Sequence, residues 1–230
     1  MSHYKQFLYD VSCTYTYFIC DSATKKAVII DPVLEHVDSY MEHIQFNNFE
    51  LLYVLETHVH ADHITGGSVL RKKTGAKTAV SLLCGATCAD HQLNDGDIIE
   101  FGSQQIRVLL TPGHTGGSLS FLWQDRIFTG DALLIGGCGR TDFQAGDAAT
   151  LYDSITQKIF SLPDETLVFP GHDYNDNFVS SIAQEKKKNP RLAGKSKEEF
   201  IEIMDNLNLP DPKQMDIAVP ANKQCGTLPL

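Results

Sequence analysis

Four apolar runs in this chain each end in a loop bearing histidine or aspartate, and that repetition constrains the chain more than any other feature. After Leu51 to Leu55 comes Thr57-His58-Val59-His60-Ala61-Asp62-His63, and after Ile106 to Leu110 comes Thr111-Pro112-Gly113-His114. Arg126 to Thr129 leads into Gly130-Asp131, and Leu167 to Phe169 into Pro170-Gly171-His172. Loops at strand ends are where a rigid scaffold holds functional groups. Residues two apart on extended backbone point the same way, so His58 and His60 project together; a turn can return Asp62 and His63 to the same point. Taken singly, His114 and His172 read as turn residues after Pro-Gly, and Asp131 as a cap. Three imidazoles and a carboxylate within six residues would instead repel one another or waste burial without a cation. The four segments together outweigh the structural reading of each.

Imidazole and carboxylate donors together favour zinc, iron or manganese over calcium or magnesium, which prefer oxygen ligands alone. No cysteine belongs to the set, which disfavours a closed structural zinc site and favours an open catalytic metal. His3, His36, His43 and His91 lie outside any such context and read as surface or core histidines.

The chain has 230 residues, enough for one large domain or two small ones and for a core that needs no staple. Its net charge of −10 argues against nucleic acid and anionic membrane surfaces as partners, since both need a basic face. No apolar stretch is long enough to span a bilayer. The first ten residues lack a basic region followed by an apolar core, so no secretory signal is expected. That predicts a bacterial cytoplasm, or a mitochondrial matrix for a mature organellar chain. The six cysteines form no Cys-x-x-Cys pair and read as reduced thiols, with Cys84 and Cys88 as packed helix residues.

Further strands are predicted at Phe7 to Tyr9, Thr14 to Cys20, Ala27 to Ile30, Ile98 to Phe101 and Leu119 to Trp123. Leu34, Val37, Met41 and Ile44 fall at helical spacing, as do Leu151, Ile155 and Ile159 behind an Asp147 cap. The tail reads as helix from Asp176 to Lys188. A capping box at Ser196 and Glu199 then opens a helix with Phe200, Ile203, Met204 and Leu207 on one apolar face. The pattern is a layered α/β protein with a helical C-terminal appendage, whose apolar face is compatible with a homodimer. Residues 1–175 form the main domain, and 176–230 an extension packed on it.

His-x-His-x-Asp-His, Gly-His, Gly-Asp and Gly-His in this order resemble the metallo-β-lactamase superfamily over roughly residues 1–175. The resemblance implies a four-layer αββα sandwich with the metal at one edge between the sheets. Finer motifs resemble its persulfide dioxygenase (ethylmalonic encephalopathy protein) family. They are Gly137-Cys138-Gly139-Arg140-Thr141-Asp142-Phe143-Gln144, His172-Asp173-Tyr174, Asn189-Pro190-Arg191-Leu192 and Val219-Pro220-Ala221-Asn222.

This second resemblance implies one Fe(2+) per chain held by His58, His114 and Asp131, with His60, Asp62, His63 and His172 orienting those ligands. It implies oxidation of glutathione persulfide by O2 to sulfite and glutathione. Arg140 and Tyr174 are the candidates to meet the substrate. Every residue needed for a second metal is also present, so a glyoxalase II-like dinuclear hydrolase of glutathione thioesters is the alternative. A thiol-sensing module using Cys138 or Cys225 is the non-enzymatic one, with ordinary reduced thiols as its simpler counterpart.

Overall fold

The computed structural model describes residues 2–212 and 214–227. The first sheet runs in chain order: β1 (Ser2–Tyr9), β2 (Thr14–Asp21), β3 (Lys26–Ile30), β4 (Glu50–Leu55), β5 (Lys77–Ser81) and β6 (His91–Leu93). Its first three strands pair antiparallel and the rest parallel. The second comprises β7 (Ile98–Phe101), β8 (Gln104–Leu110), β9 (Leu119–Trp123), β10 (Arg126–Gly130), β11 (Leu167–Pro170) and β12 (Ser180–Ser181), also neighbours in chain order. Only β10 and β11 pair parallel.

Alternation along β2 explains the layering. Tyr15, Tyr17 and Ile19 point between the sheets, where they meet Phe101, Val108, Phe121, Trp123 and Phe128. Phe18 and Cys20 point outward to α1 (Val37–Asn47) and α2 (Gly67–Thr74), through Val37, Tyr40, Ile44 and Leu70. Every residue of β2 is therefore buried, and the strand shows no polar face.

On the far side, Leu109, Ile127 and Val168 face Leu151 of α3 (Ala148–Asp153), Ile155 and Ile159 of the π-helical turn after it, and Ile182 of α4 (Ile182–Lys188). Phe200 and Met204 of α5 (Lys197–Asp205) join the same cluster. Of the face that suggested a homodimer, Phe200 and Met204 are thus buried within the chain, while Ile203 and Leu207 are half-buried. The last helix, α6 (Met215–Asn222), sets Ala218 and Ala221 against Ile64.

Helix, sheet, sheet and helix are the four expected layers. Asp147 caps α3 by accepting from Thr150 N at 2.7 Å, and the Ser196–Glu199 capping box is present. Three expectations need correction. The helix expected from Asp176 starts only at Ile182. The Asp173 carboxylate takes the amides of Asn175 and Asn177, Ser180–Ser181 pairs with β11, and Ser181 caps α4. Strands β5 and β6 add to the expected set; both are short and rich in residues without strong strand preference. The cysteines are not all reduced: Cys88 and Cys225 form a disulfide, while Cys13, Cys20, Cys84 and Cys138 are free. Cys84 ends a short 3-10 turn, and Cys88 lies in the loop beyond it.

Candidate metal centre

All four histidine- or aspartate-bearing loops open at one edge of the sandwich, where β4, β8, β10 and β11 end. Three residues converge there: one ligand atom each from His58, His114 and Asp131 lie within 4.8 Å of one another. Their orientation follows from hydrogen bonds. Asp31, at the end of β3, accepts from Thr57 N at 2.7 Å and from the Thr57 hydroxyl at 2.8 Å. With its proton committed to Asp31, Thr57 Oγ1 accepts from His58 Nδ1 at 2.9 Å, which leaves His58 Nε2 free. His114 Nδ1 donates to the Arg140 carbonyl at 2.7 Å, so its Nε2 is free too, 3.6 Å from Asp131 Oδ2.

Two glycines let backbone approach these ligands. A Cβ on Gly139 would sit 2.7 Å from His114 Nδ1, and one on Gly171 would sit 2.7 Å from Asp131 Oδ1.

The donor set fits a metal ion. Asp131 Oδ1 is buried with no hydrogen-bond partner, a costly state for a carboxylate unless a cation meets it. Burial, with His60 and His114 nearby, holds His58 well below the usual histidine range, so it is the neutral imidazole that metals bind.

The neighbouring residues are arranged differently. His60 Nε2 lies 3.1 Å from Asp31 Oδ1 and 3.4 Å from Glu56 Oε2, in a fully buried cluster. Burial disfavours charge on His60, but these two carboxylates outweigh it and raise the imidazole well above its ordinary range. Asp62 Oδ2 accepts from His63 Nδ1 at 2.9 Å and from the Thr14 hydroxyl at 3.0 Å. His172 donates Nδ1 to the Ser12 carbonyl at 3.2 Å, and its Nε2 faces Asp62 at 3.8 Å and Asp131 at 3.7 Å. His60, Asp62 and His172 form a second group of compatible spacing, and Asp31, Glu56 and His60 a third.

Arg140 lies beside the centre, but its guanidinium is bidentate to Asp142 at 2.6 and 2.7 Å, donates to the Pro210 carbonyl and covers the Phe143 ring. Tyr174 is 69% exposed, with its ring parallel to that of His172. Cys138 is buried beside Met204 and Arg191, and burial pushes its thiol up to about 11, which suits an inert thiol. His43 packs among Phe7, Phe18 and Phe49, as a core histidine should. Sequence reasoning missed Asp31, Thr57, Glu56 and the Arg140 carbonyl. Asp31 carried a signal, since it too is an acid at the end of an apolar strand.

A model of the metallo-beta-lactamase superfamily matches residues 10–83 and 89–172. The chain is 51% identical over 218 residues to the mitochondrial persulfide dioxygenase ETHE1 of Mus musculus, covering 94% of this chain and 85% of that one. It is 30% identical to glyoxylase B2 of Dictyostelium discoideum, over 95% of this chain and 89% of that one. The crystal structure of ETHE1 from Myxococcus xanthus superposes with a TM-score of 0.96 at 55% identity, over 97% of this chain and 99% of that one. The chain therefore belongs to the metallo-beta-lactamase superfamily and, within it, to the persulfide dioxygenase family.

Proposed function

We propose that this enzyme oxidises glutathione persulfide with O2 at one ferrous ion held by His58, His114 and Asp131. The reaction balances as GSSH + O2 + H2O giving GSH, sulfite and two protons. The observation that carries the reading is the pairing of two histidines, each with Nδ1 already satisfied, with one unpartnered carboxylate oxygen. That is a two-histidine, one-carboxylate set, which leaves neighbouring positions open. His58, His114 and Asp131 would hold the iron, which would supply a redox change that zinc lacks.

The protein's own groups do the positioning. Thr57 and the Arg140 carbonyl fix the ligand tautomers, while Asp62, His63 and His172 buttress Asp131 and the loop. Asp62 Oδ2 already accepts from His63 Nδ1 and the Thr14 hydroxyl, which supports one metal rather than two. Glutathione brings two carboxylates. One would take the place of Asp142 on Arg140, and the exposed Tyr174 ring would line the approach. A cytoplasm-like compartment with abundant low-molecular-weight thiol suits such a substrate.

The test is turnover with both substrate classes. Anaerobically purified protein is given glutathione persulfide under air, and O2 uptake is measured against sulfite formed. Matched uptake and sulfite, with no cleavage of a glutathione thioester, is the expected result. Thioester cleavage without O2 uptake would establish the dinuclear hydrolase instead.

A further inference from the structure

The segment that carries His58 to His63 leaves β4 and has no sheet partner, so its backbone must be held from elsewhere. Two side chains hold it. Gln144 Nε2 donates to the Val59 carbonyl at 3.1 Å. Asn222, buried at the end of α6, donates from Nδ2 to the carbonyls of His60 and His63, each at 2.9 Å, and accepts from Thr65 N at 2.9 Å. Three residues on, the Cys225 carbonyl accepts from Ser68 N at 3.0 Å, in the first turn of α2. Cys225 is in turn bonded to Cys88, 137 residues earlier, in the loop between β5 and β6. The end of the chain is thus gripped on one side by the metal loop and anchored on the other by the disulfide. A small, largely apolar pocket of about 20 Å3, room for about one water, lies against this bridge, lined by His58, Val59, Val80, Cys84, Asn222 and Cys225. Cys88 is half-buried and the more accessible sulfur, whereas Cys225 is buried.

We propose that Cys88 and Cys225 form a thiol–disulfide switch that acts on the metal loop through Asn222. Oxidised, the bridge keeps Asn222 against His60, His63 and Thr65; reduced, it frees the segment after α6, and the loop loosens. The chemistry is ordinary exchange. A low-molecular-weight thiolate attacks Cys88 Sγ, the bond to Cys225 breaks, and Cys225 leaves as a thiolate. A second thiol then displaces Cys88 from the mixed disulfide, so two thiols are oxidised to one small disulfide as the protein gains two. Cytosolic disulfides are mostly of this transient, redox-sensing kind. Asn222 acts here as a positioning residue. The effect on metal retention rests on the metal-centre reading above, whereas the effect on the loop backbone does not.

Hydrogen exchange of the intact protein, with and without dithiothreitol, tests the switch. Denatured without reductant, the chain should show the four thiols left free beside the one bridge. Reduction should speed exchange at Thr65 N and its neighbours, leave β7 to β9 unchanged, and raise the rate of iron loss to a chelator about tenfold. Asn222→Ala should show the fast exchange in both redox states and no longer respond to reductant. Six free thiols before reduction, unchanged exchange after it, or an Asn222→Ala chain that still responds would each overturn the switch. Protein that holds no iron yet shows the exchange response would overturn the metal reading and leave the switch standing.

Discussion

At the scale of single residues, the account turns on which nitrogen of each histidine is free, and one hydroxyl decides this for His58. Thr57→Val keeps the side chain's shape but leaves Asp31 Oδ2 and His58 Nδ1 without their shared partner. Iron affinity is expected to fall about 10- to 100-fold, with Thr57→Ser restoring it. Competition with a chelator reads this directly, and an unchanged affinity in the valine variant would remove Thr57 from the positioning of His58. Arg140 separates its two roles by atom. Its carbonyl orients His114 and survives substitution, while its guanidinium is the candidate for a glutathione carboxylate. Arg140→Ala should raise KM for the persulfide about tenfold with iron content unchanged, and a normal KM would exclude that contact. The clustering of His58, His114 and Asp131 was legible because their types recur at strand ends. Thr57 and Asn222 were not, since a buried threonine or asparagine looks like any other until its hydrogen-bond partners are known.

At the scale of elements, the longer strands were legible wherever β-branched and aromatic residues ran between polar breaks, as in β2 and β9. The short β5 and β6 draw their stability from neighbours already in place, and that dependence leaves no local pattern. Asx turns hid the start of α4 in the same way, because Asp173 diverts the amides that a helix would have used. The two sheets are also joined at a turn. Asp21, ending β2, accepts from Ser103 N at 2.7 Å, Thr24 Oγ1 at 2.8 Å and Ala23 N at 3.1 Å. These donors, that of Ser103 first, bring its carboxyl down from 3.8 to about 2. A folded-state value below the unfolded one stabilises the fold fully above the ordinary carboxylate range, and the gain is lost as pH falls toward about 2. Acid unfolding of the parent chain should therefore steepen over that interval, and Asp21→Asn should flatten it. Equal slopes would show that Asp21 is not a stabilising acceptor.

At the scale of the whole molecule, the C-terminal residues complete what the sandwich begins. Phe200 and Met204 close the outer cluster over β10 and β11, and α6 brings Asn222 to the metal loop. We infer that residues 1–175 and 176–230 unfold together, so calorimetry should show a single transition; two separated transitions would contradict this. Among the described residues, no helix is long and apolar enough to cross a membrane. The central claim is one metal at one three-residue set, in a chain whose neighbouring groups could be mistaken for a second. Elemental analysis of anaerobically purified protein decides it most directly. The account predicts one iron per chain, abolished by Asp131→Ala. Two metal ions per chain, with one of them lost in Asp62→Ala and in His172→Ala, would contradict it.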